Sequence, residues 1–318
     1  MKIPYQEFDL SGVRTYPLAS RKSKVRVEDF AVPYQKGSGV AGLVRSLPAA
    51  LAGGDFKAVV ASLLAARRAD AAIIWGVGAH VVKTGLSPVL VDLMRRGFVS
   101  AIATNGAGII HDFEIALAGV TSEDVDEALG PGTFGMADET ATLLNVAINE
   151  GVAQGLGLGQ AVGRFVAGRD AEYGRHSIAE TAWTMGIPLT VHVGMGTDII
   201  HMHPLASGAA LGEGSLRDFR YLVTAVSRLE GGVYLNCGSA VILPEVFLKA
   251  VALARNQSSS MAGLTTVNID FLRHYRPMTN VVTRPTAGVG RGYMLTGHHE
   301  LLLPLLAAAL IEGEAAAG

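Results

Sequence analysis

The sequence lacks the features that define several large classes of protein. It contains one cysteine in 318 residues, so an internal disulfide framework is excluded. Only 17% of the residues are charged and the formal net charge is -2, which leaves no electrostatic footprint for nucleic acid. We therefore predict no nucleic-acid partner.

Long apolar runs are also lacking. The apolar stretch from Leu301 to Leu310 is too short to span a bilayer and is interrupted by Pro304. The first residues of the chain lack a long apolar signal core. These absences predict a cytoplasmic protein without a membrane partner.

The shortage of charge predicts self-association. Apolar residues make up 49% of the chain, so few charged side chains remain to cover the surface of a monomer of this size. Subunit interfaces would cover the remaining apolar surface. We expect a homo-oligomer, with a tetramer as the predicted state.

Apolar runs alternate with helical patterns along most of the chain. This alternation predicts one α/β domain over 1–318, a doubly wound, mostly parallel sheet with a Rossmann-like crevice. Its core spans 71–310, after an extended N-terminal arm at 1–38. The predicted strands lie near 71–75, 99–103, 189–193, 232–236 and 264–269. The predicted helices begin near Gly39 and Asp55 and lie near 86–97, 107–118, 138–153, 175–185, 215–229 and 244–255. Glycines between 151 and 163 predict short helices that form a cap or an oligomer contact.

Small-residue turns follow three of the predicted strands. They lie at 76–79, 103–108 and 237–239, where bare backbone N–H groups would face an anion. Because the carboxyl ends of parallel strands meet at one edge, these turns predict a crevice for NAD or a related nucleotide. The alternative is that the glycines only permit tight strand-to-helix turns. The candidate cofactor-binding residues are Gly78, Ala79, Gly85, Thr104, Asn105, Gly106, Gly108, Gly238 and Ser239.

Several motifs are similar to those of deoxyhypusine synthase. The segment 103–113 resembles that family's threonine-rich turn with two glycines, and 79–85 resembles its upstream turn at the same spacing. Residues 198–203 resemble the segment that enters the substrate pocket. Arg284-Pro285 and the closing helix at 301–306 complete a likeness that covers roughly three quarters of the chain. The resemblance implies the same fold and an NAD pocket.

The residues that carry the family's chemistry are replaced. Deoxyhypusine synthase oxidises spermidine with NAD and holds the aminobutyl group as an imine on a lysine, before passing it to translation initiation factor 5A. Tyr293 stands at the place of that lysine, and a phenol cannot form the imine. Other expected acidic or basic groups are replaced by Ile110, His111, Ile242, Leu243, Asn280 and Ala287, and the late acidic turn by Gly297-His298-His299-Glu300. The resemblance therefore implies a divergent member that does not form deoxyhypusine.

Histidines follow three predicted strands. His80, His111 and His192 would lie along one sheet edge, where active sites form in such folds. General acid–base catalysis by His80 or His111 is one interpretation, with Asp112 orienting a ring. Asp112 is alternatively an acid in the first turn of a helix, where it favours the helix dipole.

A second histidine pair lies at His201 and His203. On an extended segment the two side chains would face one side and share a metal, whereas a helical segment would separate them. The sequence has no short HxxxH motif to confirm a ligand set, so no metal is predicted. Asp198 and His201 are instead assigned to substrate binding.

Three other types of side chain are candidates for the site. Lys83 is a relocated amine or a phosphate partner, or only an exposed lysine on a turn. Tyr293 is a candidate acid. Arg284 and Arg291 predict an anionic ligand.

These observations leave three functional hypotheses. The first is an NAD-type enzyme that acts on a small molecule by redox or group-transfer chemistry. The second is a histidine-based hydrolase or lyase without NAD, and the third is a non-catalytic ligand-binding protein. Fold alone does not choose among them, because function resides in the site.

Overall fold

The computed structural model describes residue 3 and residues 5–315. Its centre is a sheet of six strands, all parallel, in the spatial order β3-β2-β1-β4-β5-β6. This order confirms the predicted doubly wound sheet. The strands are β1 (Ile73–Val77), β2 (Ala101–Asn105), β3 (Leu189–His192), β4 (Val233–Cys237), β5 (Thr265–Asp270) and β6 (Arg291–Thr296).

Five strands lie within two residues of their predicted positions. The sixth, β6, was not predicted. It is the outermost strand and its first residues are only partly buried, so it lacks the continuous apolar run of the central strands. Gly292 also weakens its strand pattern.

Helices cover both faces of the sheet and bury its two apolar surfaces. Trp75 of β1 donates its indole N–H to the carbonyl oxygen of Phe98, and Tyr234 of β4 stacks on Phe247 with 3.6 Å between ring centroids. The helices are α1 (Gly39–Ser46), α2 (Leu51–Arg68), α3 (Ala79–Lys83), α4 (Ser87–Arg95), α5 (Gly106–Ala118), α6 (Val125–Leu129), α7 (Asp138–Ala153), α8 (Leu158–Ala167), α9 (Ile178–Met185), α10 (Gly208–Val226), α11 (Ile242–Asn256), α12 (Tyr275–Pro277) and α13 (His299–Ala315).

The glycine-rich region between α7 and α9 belongs to the packed interior. A Cβ on Gly159 would lie 2.0 Å from the carbonyl oxygen of Leu189, and one on Gly163 would lie 2.5 Å from that of Ala179. These glycines let α8 pack closely against β3 and α9. These glycines serve contacts within the chain, and the prediction that the region forms a cap or an oligomer contact stays a prediction.

The N-terminal arm differs from the rest of the chain in its exposure. Its only regular structure in the described residues is two short 3₁₀ turns, Leu18–Ser20 and Val27–Asp29. Large apolar side chains are nevertheless exposed along it: Tyr5, Phe8, Leu10, Val13, Tyr16, Leu18, Val25, Val27, Phe30, Val32 and Tyr34. Within the described part of the chain, no helix combines the length and the apolar composition needed to cross a membrane.

Candidate functional site at the carboxyl edge of the sheet

The strand order reverses between β1 and β4, and the turns that leave these two strands touch. The Gly78 N–H donates to the carbonyl oxygen of Cys237 over 2.8 Å. A Cβ on Gly78 would lie only 2.3 Å from the carbonyl oxygen of Gly238. Ser239 is buried, and its Oγ accepts from the N–H of Leu243 at the start of α11. Gly78, Gly238 and Ser239 therefore support the contact between the two turns, and the adjacent Ala79 and His80 are partly exposed beside it.

The turn between β2 and α5 is stabilised by its own side chains. Thr104 Oγ1 donates to the carbonyl oxygen of Val77, and Asn105 Oδ1 accepts from the N–H of Gly108 over 2.9 Å. A Cβ on Gly106 would lie 1.9 Å from Asp198 Oδ2. The Asp198 carboxylate thus lies at the N-terminus of α5, where a nucleotide phosphate would be expected. The helix dipole interacts there with an internal anion.

Asp198 and His201 form a buried pair beside this helix end. His201 Nδ1 accepts from the backbone N–H groups of Gly196 and Asp198, so Nε2 carries the proton in the neutral ring. Nε2 lies 3.9 Å from Asp198 Oδ2. Neither atom has a hydrogen-bond partner among the described residues. Burial raises the pKa of Asp198, whereas His201 acts in the opposite direction.

His203 does not join this pair. The segment Ile199–Met202 is a 3₁₀ turn, and His203 Nδ1 accepts instead from the N–H of Leu205. The two histidines therefore follow the helical alternative, in which they diverge.

His111 is held in a polar network on α5. Thr121 Oγ1 donates to Glu114 Oε2, so it accepts from the His111 Nδ1–H over 2.7 Å. His111 Nε2 is then the free basic nitrogen. Burial lowers the pKa of His111 and the nearby charge of Lys83 lowers it further, while Glu114 raises it. Lys83 itself is exposed at the end of α3, and Gly85 follows it with a left-handed φ of 81°.

Asp112 does not orient His111. Its carboxylate accepts from Ser177 Oγ at 2.6 Å and from the N–H groups of Ile178 at 2.7 Å and Ala179 at 3.0 Å. Asp112 therefore caps the N-terminus of α9. The sequence predicted that Asp112 either orients His111 or favours the dipole of its own helix. Both predictions are wrong, because Asp112 lies on α5 and stabilises the N-terminus of α9.

The three histidines predicted to converge have different partners. His192 is buried and contacts Thr190 Oγ1 over 3.0 Å, and burial lowers its pKa to about 4. His111 contacts Thr121, as described above. His80 lies instead against the rings of Phe271 and His299, with 5.8 Å and 5.6 Å between ring centroids. The three rings therefore have different partners, and His80 lies beside a histidine from the start of α13.

The residues assigned on β6 lie away from the carboxyl edge. Arg291 begins the strand and is paired in register with Thr265, at the amino end of β5. It is separated from Thr296 at the carboxyl end by about 16 Å of strand. Tyr293 lies between them and packs against the core. Arg284 donates to Asn280 Oδ1. Arg291 therefore lies at the amino end of β6 and Tyr293 near its middle, and their assignment to the site stays a prediction.

A cluster of aromatic and histidine rings that the sequence did not predict lies at the ends of β5 and β6. Phe271 stacks on His298 with 5.8 Å between ring centroids and contacts the buried His299 edge to face. His80 and Glu300 lie next to them. The run His298-His299-Glu300, at the place where the family's acidic turn is expected, was the signal in the sequence.

A large cleft lies at the opposite edge of the sheet. It has a volume of about 610 Å³ and is lined mainly by apolar groups near the amino ends of β1, β2 and β3, including Trp183, Tyr221 and Arg228. The titratable groups in its lining are Tyr221 and Arg228. Doubly wound folds bind their ligands at the carboxyl edge, so we assign the site to the turns described above.

Comparison with known proteins supports the fold. No family model matches the sequence, and no curated protein matches it. Among solved structures, a ternary complex of AgrE with ornithine and NAD+ aligns with a TM-score of 0.51 and 15% identity, over 90% of this chain and 35% of that one. A putative deoxyhypusine synthase from Entamoeba histolytica aligns with a TM-score of 0.51 and 12% identity, over 89% of this chain and 96% of that one. The chain has a deoxyhypusine synthase-like fold.

A third structure extends this group. A conserved putative LOR/SDH protein from Methanococcus maripaludis S2 aligns with a TM-score of 0.53 and 18% identity, over 82% of this chain and 70% of that one. The chain spans about a third of the length of AgrE. At these identities the likeness concerns the fold alone, and it confirms the expected architecture. One of the proteins with this fold, AgrE, was solved with NAD+.

Proposed function

We propose that the protein is a dinucleotide-binding enzyme of the NAD type that acts on a small molecule by redox or group-transfer chemistry. The observation that carries the proposal is the reversal of strand order between β1 and β4, where two short turns meet at the carboxyl edge. The fold shared with the NAD+ complex of AgrE supports it.

The residues present fit a dinucleotide on one side of this edge. Asp198 occupies the N-terminus of α5, so the turn at Gly106 offers no free anion site. The other side carries Ala79, His80 and Phe271, whose side chain is 43% exposed and presents an aromatic face. These residues would hold the cofactor, and NAD would supply a hydride acceptor there. The protein would bind and orient the substrate, and His111 Nε2 would exchange a proton.

Deoxyhypusine formation is not part of the proposal. Tyr293 lies in the middle of β6, and the phenol supplies no amine for an imine. Lys83 is exposed at the carboxyl edge and is the amine closest in sequence to the turn at Gly78. It is a candidate partner for a phosphate or an acidic substrate.

The test is calorimetric titration of the metal-free protein with NAD. We expect saturable micromolar binding, and about tenfold tighter binding by Asp198→Asn, because this substitution removes a negative charge from the carboxyl edge while keeping the side-chain shape, so that a pyrophosphate bound beside Ala79 and His80 is repelled less. The exposed Asp170→Asn removes the same charge elsewhere and serves as the matched control. Absence of saturable binding by both the wild type and Asp198→Asn would refute the dinucleotide proposal.

A histidine-based hydrolase or lyase is the second candidate. The specific observation in its favour is the buried pair of Asp198 Oδ2 and His201 Nε2, both without a hydrogen-bond partner among the described residues. Such a pair can hold a water or a polar substrate atom. This candidate becomes the stronger one if NAD does not bind.

We also propose that the N-terminal arm mediates assembly into a homo-oligomer, with a tetramer expected and a cytoplasmic location predicted. The exposed Tyr5, Phe8 and Leu10 are the kind of residues that subunit contacts cover.

The arm can be tested by substitution. Replacing Tyr5, Phe8 and Leu10 together by serine is expected to shift the protein to a smaller species in sedimentation velocity, because it removes apolar area from the contact. The control replaces the neighbouring exposed Glu7 and Arg14 by serine and should keep the wild-type assembly. Equal sedimentation of both variants and the wild type would contradict a role for the arm.

A further inference from the structure

His80, His299 and Glu300 come together from opposite ends of the described core. His80 follows β1, whereas His299 and Glu300 begin α13 after β6. Each of the three offers one ligand atom, and these atoms all lie within 4.8 Å of one another. Ligand atoms around a tetrahedral zinc ion are separated by about 3.4 Å, so a shift of about 1 Å would complete the geometry. His80 and Glu300 are partly or fully exposed and have room for this shift.

The hydrogen bond made by His299 Nε2 leaves Nδ1 of the same ring available to bind a metal. The ring is 0% exposed, and its Nε2 lies 3.0 Å from the carbonyl oxygen of Ile269. A carbonyl oxygen only accepts, so Nε2 carries the proton and Nδ1 keeps its lone pair. Nδ1 is buried and has no hydrogen-bond partner among the residues that the structure describes. Histidines that bind metals commonly donate their other ring N–H to a backbone carbonyl in this way.

The surroundings hold this ring in place. A Cβ on Gly238 would lie 3.1 Å from His299 Cε1 and Nε2, so the bare glycine makes room for the imidazole. Phe271 contacts the ring edge to face.

We propose that His80, His299 Nδ1 and Glu300 bind one Zn²⁺ ion. Two imidazoles and one carboxylate form a ligand set that zinc accepts, and three protein ligands leave a coordination position for water or substrate. Glu300 and Phe271 are exposed, so this position opens to solvent. The site would add a Lewis acid to the carboxyl edge. The proposal does not depend on NAD, because the metal is measured without any dinucleotide.

The experiment is a zinc titration of the full chain after dialysis against a chelator and then against metal-free buffer. We expect uptake of one equivalent per chain by calorimetry, and a visible absorption band when Co²⁺ replaces Zn²⁺. Mg²⁺ at the same concentration should give no heat, because imidazole nitrogen is a poor ligand for it.

Variants separate this site from surface binding. Glu300→Gln and His80→Gln are expected to weaken zinc binding at least about tenfold, since losing a ligand costs no less than losing an outer-sphere partner. His298→Gln is the matched control, because His298 is exposed, adjacent in sequence and outside the cluster. It should change the affinity by less than about twofold. Circular dichroism checks that each variant is folded. No saturable uptake by the wild type, or equal losses in Glu300→Gln and His298→Gln, would overturn the proposal.

Discussion

Asp112→Ala is expected to lower the free energy of unfolding by about 3–5 kcal/mol, the cost of removing one partner from a buried charged network. The Asp112 carboxylate is 3% exposed and accepts three hydrogen bonds at the N-terminus of α9. Alanine would leave the N–H groups of Ile178 and Ala179 buried without acceptors. The side chain lies at the positive end of the helix dipole, and burial raises the pKa of Asp112 against the effect of its three hydrogen bonds.

The measurement for Asp112 is urea unfolding followed by circular dichroism, together with NAD titration in the folded range. Asp112→Asn keeps one oxygen acceptor and should lose roughly half as much stability. Because this side chain holds α9 and does not contact His111, we expect the folded variants to bind NAD with unchanged affinity. A variant with wild-type stability but weakened NAD binding would show that Asp112 belongs to the binding site.

Asp218→Asn is expected to change how stability depends on pH. Asp218 is fully buried on α10, and its Oδ2 accepts from the N–H groups of Gly159 and Val191. Its Oδ1 has no partner among the described residues. Burial raises the pKa of this carboxyl from 3.8 to about 7, against the opposing effect of the backbone hydrogen bonds. The folded state therefore favours the protonated form.

The direction in which stability changes with pH follows from this pKa. Between pH 3.8 and about pH 7 the folded chain retains a proton that the unfolded chain has released, so stability falls as the pH rises. The loss reaches about 4 kcal/mol at pH 8. Asparagine is neutral throughout and keeps an oxygen acceptor. We therefore expect Asp218→Asn to become more stable relative to wild type as the pH rises, by up to about 4 kcal/mol between pH 4 and pH 8.

The measurement for Asp218 is urea unfolding at pH 4, 6 and 8 for the wild type and the variant. The difference in the free energy of unfolding between the variant and the wild type reports Asp218 alone, because His192 is present in both. The pKa of His192, about 4, gives the opposite pH dependence, since stability is lost as the pH falls from 6.5. The variant Asp170→Asn, at an exposed position, should show the same pH dependence of the free energy of unfolding as the wild type. A constant difference between Asp218→Asn and the wild type at the three pH values would contradict the raised pKa.

The architecture was largely predictable from the sequence, because central parallel strands are buried on both faces and appear as apolar runs. β1 and β4 are such runs, and the small residues after them predicted the turns at Gly78 and Gly238. β6 lacked that signal because it lies at the edge and begins with Arg291-Gly292. For the same reason the positions of Arg291 and Tyr293 along a strand were not predicted.

The contacts between strand ends were not predictable in the same way. Nothing near Gly106 in the sequence shows that the Asp198 carboxylate will lie against it, and nothing near Asp112 shows that it will cap α9. Each contact joins segments that are far apart in the chain. Their distances depend on how α5, α9 and the loop after β3 pack on the sheet.

The sequence by itself determined the doubly wound sheet and the small-residue turns at its carboxyl edge, because periodicity and residue identity are local properties of the chain. Only the tertiary structure decided which side chains meet at that edge. It placed Asp198 at the end of α5 and brought His80 to His299 and Glu300. The chemistry of the site depends on distances of a few ångströms, which close packing fixes and local sequence does not.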